Sequence, residues 1–129
     1  VRYDLAPVPF GIRVYVLPDL LAGKMHALLC RRWKTRVKGR DWYDLVWFAG
    51  HHPELRLAHL EARMVQSGHW PADEPLTAAR LQERLAETID AVDLAQARSE
   101  VEPFVRDPDS LALWSPSFFH DVASRMLCV

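Results

Sequence analysis

From Pro18 to the C-terminus the apolar residues return every three or four positions, and this period restricts the chain to a helical body more tightly than any other feature. Leu21, Met25, Leu28 and Leu29 share one face of a helix predicted from Pro18-Asp19 through about Arg32. Gly39 ends a basic loop, and Asp41 starts a second helix whose buried stripe is Trp42, Leu45, Val46 and Ala49, with Gly50 as its stop. A third helix is expected from Pro53 to about Gln66, with Leu55, Ala58 or His59, Ala62 and Val65 in phase. After a loop over Ser67–Pro75, Thr77 caps Ala78–Val92, which turns Leu81, Leu85, Ile89 and Val92 inward. Asp93 opens another helix that reaches Phe104. Asp107-Pro-Asp-Ser110 breaks it, and Leu111–Val129 adds a segment with Trp114, Phe118, Phe119 and Val122 as core.

The front of the chain has a different pattern. Val1–Leu5 and Ile12–Leu17 are rich in β-branched and aromatic residues and flank a Pro/Gly connector, so they are expected to be strands. A lone two-stranded ribbon is marginal in water, so they should complete a larger sheet. The expected fold is α+β and mostly helical: residues 1–17 as sheet strands, then residues 18–129 as one helical unit. The start at Val1 rather than Met adds the expectation that the chain is a piece of something longer.

A chain of 129 residues, half of them hydrophobic, is long enough to bury its own core, which sets disorder aside. The net charge of −1 conceals an asymmetry. Residues 1–50 carry nine Lys/Arg against four Asp/Glu, and residues 51–129 carry seven against thirteen, which predicts a basic front and an acidic back. Cys30 and Cys128 lie far apart without metal or redox spacing, so free thiols in a reducing, cytoplasmic setting are expected. No apolar run approaches the roughly 18 residues of a membrane span. Gly-rich phosphate loops and Ser/His/Asp arrangements are not detectable.

Chemistry concentrates between residues 24 and 44. Lys24 projects from a helix whose other faces are apolar, as a point charge for phosphate or as a snorkelling side chain. Arg31, Arg32, Lys34, Arg36, Lys38 and Arg40 put six cations around Trp33, either as a phosphate-binding run or as a solvated face. Asp41 and Asp44, three apart, fall on one helix face. They either cap the helix or face a cavity, where they could bind metal, position a nucleophile or orient the cations. His51-His52 and His59 lack companion ligands and are expected at a helix end and in the core, while His26 points about 200° round the helix from Lys24. Asp107-Pro-Asp109 is expected to be a turn rather than a metal pair.

The string Leu20-Leu-Ala-Gly-Lys-Met-His-Ala-Leu-Leu29, then Arg31, then Lys38-Gly-Arg-Asp-Trp-Tyr-Asp-Leu45, resembles the second half of the AbiEii/AbiGii-type toxin nucleotidyltransferases. In that family a helix with K-x-x-A-L precedes an arginine, a basic loop and R-D-x-Y-D-L. Val101-Glu-Pro-Phe104, Asp107-Pro108 and Leu113-Trp-Ser115 through Phe118-Phe119 fit the family's closing helices, so the likeness spans nearly the whole chain.

The resemblance implies a DNA polymerase β-like transferase that moves a nucleotide from an NTP to an acceptor such as tRNA and is countered by an antitoxin protein. By the same resemblance, Lys24 steadies the triphosphate, Arg31, Lys38 and Arg40 support the anionic site, and Asp41 and Asp44 hold its geometry or assist the acceptor. Mg²⁺ is implied as cofactor, but the family's Gly-Ser turn and Asp-x-Asp pair, its main ligands, belong upstream of Val1. This chain is therefore expected to be the C-terminal part of the transferase and inactive by itself. The alternative is a non-catalytic helical module that grips RNA with its basic front or docks a protein with its acidic back. The transferase reading expects Lys24, Asp41 and Asp44 to open onto one positively charged hollow.

Overall fold

A computed structural model of the chain describes residues 16–30 and 38–129. The strands expected at Val1–Leu5 and from Ile12, and the phosphate contact expected at Arg31, lie outside the described residues. Leu17, expected to end the second strand, instead opens the first helix, α1 (Leu17–Cys30). Then follow α2 (Gly39–His51), β1 (Glu54–Leu55), α3 (Leu57–Gln66), α4 (Ala78–Ala91) and α5 (Leu94–Val101). Two 3-10 turns, Glu102–Phe104 and Pro108–Leu113, lead to α6 (Pro116–Ser124) and β2 (Leu127–Cys128). The described part is thus mostly helical with one small sheet, the α+β class expected.

The helices pack through the apolar stripes that their sequences dictate. α1 buries Leu21, Ala22, Met25, Ala27 and Cys30; α2 buries Trp42, Leu45, Phe48 and Ala49; α4 buries Leu81, Leu85 and Ile89. All but Ala27 belong to one continuous cluster, in which Phe119 of α6 has no exposed surface. Its ring meets Trp42 and Trp114 edge-on, with centroids 5.1 and 5.2 Å away, the arrangement favoured by the aromatic quadrupole. α1 lies against α2 and α3, α2 against α5 and α6, and α4 against α6.

Pro53 to Gln66 differs from expectation. Glu54 and Leu55 pair in parallel with Leu127 and Cys128 before the helix starts at Leu57. The Leu127 amide donates to the Pro53 carbonyl (2.9 Å), the Val129 amide to Leu55 (2.8 Å) and the Arg56 amide to Pro18 (3.1 Å). The Pro53 and Leu55 carbonyls and the Arg56 amide therefore bond to the two ends of the described chain, while the Arg56 carbonyl accepts from the Leu60 amide as α3 begins. Leu55, on which the expected stripe is phased, lies in the strand instead, and α3 turns a different face inward, burying Leu60 and Met64 rather than Ala62 and Val65.

Local capping follows the sequence where the partners are local. Thr77 and Asp93 accept from the Arg80 and Gln96 amides at 3.2 and 3.1 Å, and Ser115 accepts from the Phe118 amide at 3.1 Å. Thr77→Ala should lower stability by about 1 kcal/mol, read as a smaller urea midpoint at constant slope.

Candidate functional site

Lys24 sits mid-way along α1 with its side chain about half exposed. Its ammonium meets an Asp44 carboxylate oxygen at 2.8 Å, so α1 and α2 are joined by an ion pair. The pair is part-exposed and screened by solvent, so it contributes about 1 kcal/mol to stability, and its value lies in fixing where the ammonium points.

Lys24 also lines a hollow of about 240 Å³ with Asp19, Gly23, Asp41, His59 and Arg63. The wall is of mixed charge, two cations with two carboxylates and an imidazole, rather than uniformly basic. Asp19 is held within it: His59 Nδ1 donates to Oδ1 at 2.9 Å and Arg56 Nε donates to the same oxygen at 2.8 Å. The His59 hydrogen bond, with Arg56 adding to it, lowers the Asp19 pKa below its ordinary value. Gly23 makes room for the other cation, because a Cβ there would stand 3.2 Å from Arg63 Nη1.

A depressed folded-state pKa means that ionised Asp19 stabilises the fold above the ordinary carboxylate range, and that this contribution is lost as pH falls through the lowered value. The stabilities of the wild type and Asp19→Asn should therefore differ near neutrality and converge in acid. Urea midpoints measured from pH 7 to pH 2 check this; a constant gap across that range would remove the assigned role.

The single positively charged hollow expected for Lys24, Asp41 and Asp44 is not what forms: the first hollow is of mixed charge, and the three residues divide between two neighbouring hollows. Asp41 shares the first with Lys24. Asp44, although paired with Lys24, lines a second hollow with Arg40, Tyr43, Val101, Phe104 and Val105, of about 340 Å³. Lys38 is the residue just before α2, half-buried. It makes no side-chain cap, and Asp41 is the third residue of the helix rather than its cap. The capping acid is Glu100 of α5, which accepts from the Gly39 amide at 2.7 Å. No local signal announces a cap 61 residues away.

Sequence reasoning also missed Arg63, Asp19 and His59 as walls of the hollow. Arg63, near the C-terminal end of α3, suits the helix dipole there, so its spacing carried no hint of a site. His51 ends α2 with its ring stacked on Trp47 (4.7 Å, 12°), the helix-end placement expected.

Magnesium has no evident nest among the described residues. Among the described residues the one group of three convergent ligand side chains is His26, Cys30 and His69, a nitrogen and sulfur set. Asp19 is engaged with Arg56 and His59, and Asp44 with Lys24. No group of three convergent ligand side chains among the described residues includes a carboxylate, so none offers the oxygen-rich set that a hard cation prefers.

Among the described residues no helix is long and apolar enough to cross a membrane. No curated protein and no solved structure shows significant similarity to the chain. A family model described as the nucleotidyl transferase AbiEii toxin of type IV toxin–antitoxin systems matches residues 1–120, which include every element that builds the Lys24 hollow. The chain belongs to the AbiEii family of nucleotidyl transferase toxins.

Proposed function

We propose that the hollow between α1, α2 and α3 receives the phosphate end of an NTP whose nucleotide is transferred to an RNA acceptor such as tRNA. The observation that carries this reading is the Lys24 ammonium, held 2.8 Å from Asp44 at the rim of a hollow that Arg63 lines as well. Two cations of different geometry then meet one polyanion: Lys24 as a point charge, Arg63 as a planar fork. The hollow's roughly 240 Å³ is below the roughly 300–1,000 Å³ of sites that enclose whole ligands, so it suits a phosphate tail and leaves the base outside.

Within this reading Asp44 orients Lys24, and Arg40 and Lys38 at the start of α2 extend the cationic surface toward the acceptor, with Arg31 following α1 in sequence. Asp41 stands on the wall where an incoming hydroxyl could be oriented. Positioning and charge stabilisation of this kind supply most of the catalysis in phosphoryl-group transfer. Nucleotidyl transfer also uses divalent metal, here Mg²⁺, whose carboxylates are not among the described residues. The chain by itself is accordingly proposed to bind without turning over. Membership of a type IV toxin–antitoxin family supports an antitoxin protein as the partner that restrains it.

Equilibrium titration of the chain with each of the four NTPs tests the reading. All four should bind within a few-fold of one another, and inorganic tripolyphosphate should displace them, since the phosphates make the contacts. Binding that tripolyphosphate leaves untouched, or no NTP binding at all, would overturn it. Salt-sensitive RNA binding without NTP binding would favour the non-catalytic module instead.

A further inference from the structure

On the side of α1 away from Lys24, three side chains converge that the nucleotide reading does not use. His26 and Cys30 are one helical turn apart, and His69 comes from the turn after α3; one ligand atom from each lies within 4.8 Å of the others. Gly68 has φ +80°, a left-handed conformation that glycine adopts without strain, and the His69 amide then closes on the Met64 carbonyl at 2.8 Å. That turn carries the imidazole back toward α1, where the His26 and His69 rings meet edge-on with centroids 6.4 Å apart. Ser67 Oγ lies between them, 3.0 Å from His26 Nε2 and 2.8 Å from His69 Nδ1.

We propose that His26, Cys30 and His69 form a binding site for a borderline-soft divalent cation of the zinc type, built from ligands that the nucleotide site does not use. The donor set is two imidazoles and one thiolate, which favours such an ion over magnesium or calcium. Tetrahedral zinc with bonds of about 2.0–2.3 Å needs donor atoms about 3.3–3.8 Å apart, so small side-chain rotations close the observed spacing. Ser67 or water takes the fourth position. Cys30 is buried, and burial raises its thiol pKa, with Arg84 offsetting part of the rise. A bound cation reverses that preference, because a coordinating thiol is deprotonated outright. The ion would tie the turn after α3 to the end of α1 from which the basic run continues in sequence.

Titration of the full chain with Co²⁺, followed by absorbance, tests this directly. One equivalent should give tetrahedral d–d bands and a thiolate-to-metal charge-transfer band, both displaced by Zn²⁺. Cys30→Ser should abolish the charge-transfer band, whereas Cys128→Ser should leave it unchanged. Because Cys30 lies in the core and its replacement could unfold the chain, His69→Gln, in a surface turn, serves as the second variant. It should weaken Co²⁺ binding at least about tenfold, the lower end of what even outer-shell changes cost metal sites. Absence of a thiolate band, a band that depends on Cys128, or unchanged affinity in His69→Gln would overturn the site.

Discussion

Gly39→Ala is expected to destabilise the fold by about 3 kcal/mol or more, the upper part of the range for overpacked interiors. The usual effect of this substitution inside a helix has the opposite sign, because alanine loses less backbone entropy on folding, by about 0.5–1 kcal/mol. Here the new Cβ would stand 2.2 Å from the Ala97 carbonyl oxygen and 3.1 Å from its carbon. Both belong to the backbone of α5, so no side-chain rotation relieves the clash and α2 must move off α5. The same movement pulls the Gly39 amide from Glu100, which accepts from it at 2.7 Å. Gly50, in the same helix, supplies the control: a Cβ there meets nothing within 4 Å. Gly50→Ala should be neutral or stabilising by up to about 1 kcal/mol. Urea unfolding of the two variants checks the contrast, and equal midpoints would mean that α2 and α5 do not approach so closely.

The second large effect concerns binding rather than folding. Lys24→Met should weaken NTP affinity by roughly 10- to 100-fold, since a hydrogen bond to a charged group contributes about 1.5–3 kcal/mol. Stability should change by only about 1 kcal/mol, because the Lys24–Asp44 pair is part-exposed and screened by solvent. Asp44→Asn should do the reverse to binding. It removes the negative charge that pairs with Lys24 and frees the ammonium for the phosphates, which tightens NTP by about 1 kcal/mol at low salt, near the Coulomb energy of two charges about 4 Å apart in water. An orienting role for Asp44 would still show as slower transfer wherever turnover is reconstituted. If both variants weakened binding equally, the two residues would be acting as a structural pair and the phosphate assignment would fail.

Much of the helical body was legible because its helices are amphipathic. The stripes of α1, α2 and α4 and the caps at Thr77 and Asp93 depend on residues within a turn of one another, which a sequence displays directly. What was missed is non-local. Two-residue strands show no alternation, and β1 is set apart from α3 by its bonds to Leu127 and Val129, far along the chain. Glu100 reaches Gly39 across the α2–α5 contact, and the glycine in Lys38-Gly-Arg looked like a loop terminator when it is a packing residue inside a helix. Within the site, Lys24 and the two acids of α2 stood out by residue type, but their division between two hollows depends on how α1 crosses α2. Arg63 and His59 carried no sequence signal, because helix-end cations and half-buried histidines are common.

The claim on which the account depends is that the Lys24 ammonium meets the phosphates of a bound nucleotide. The chain has three lysines, Lys24, Lys34 and Lys38, so an acyl-phosphate derivative of ATP, which passes its acyl group to an amine beside the phosphates, gives a readable answer by peptide mapping. Acylation should concentrate on Lys24 and be suppressed by ATP or tripolyphosphate. Equal modification of all three lysines, or labelling of Lys24 that ATP does not prevent, would contradict it.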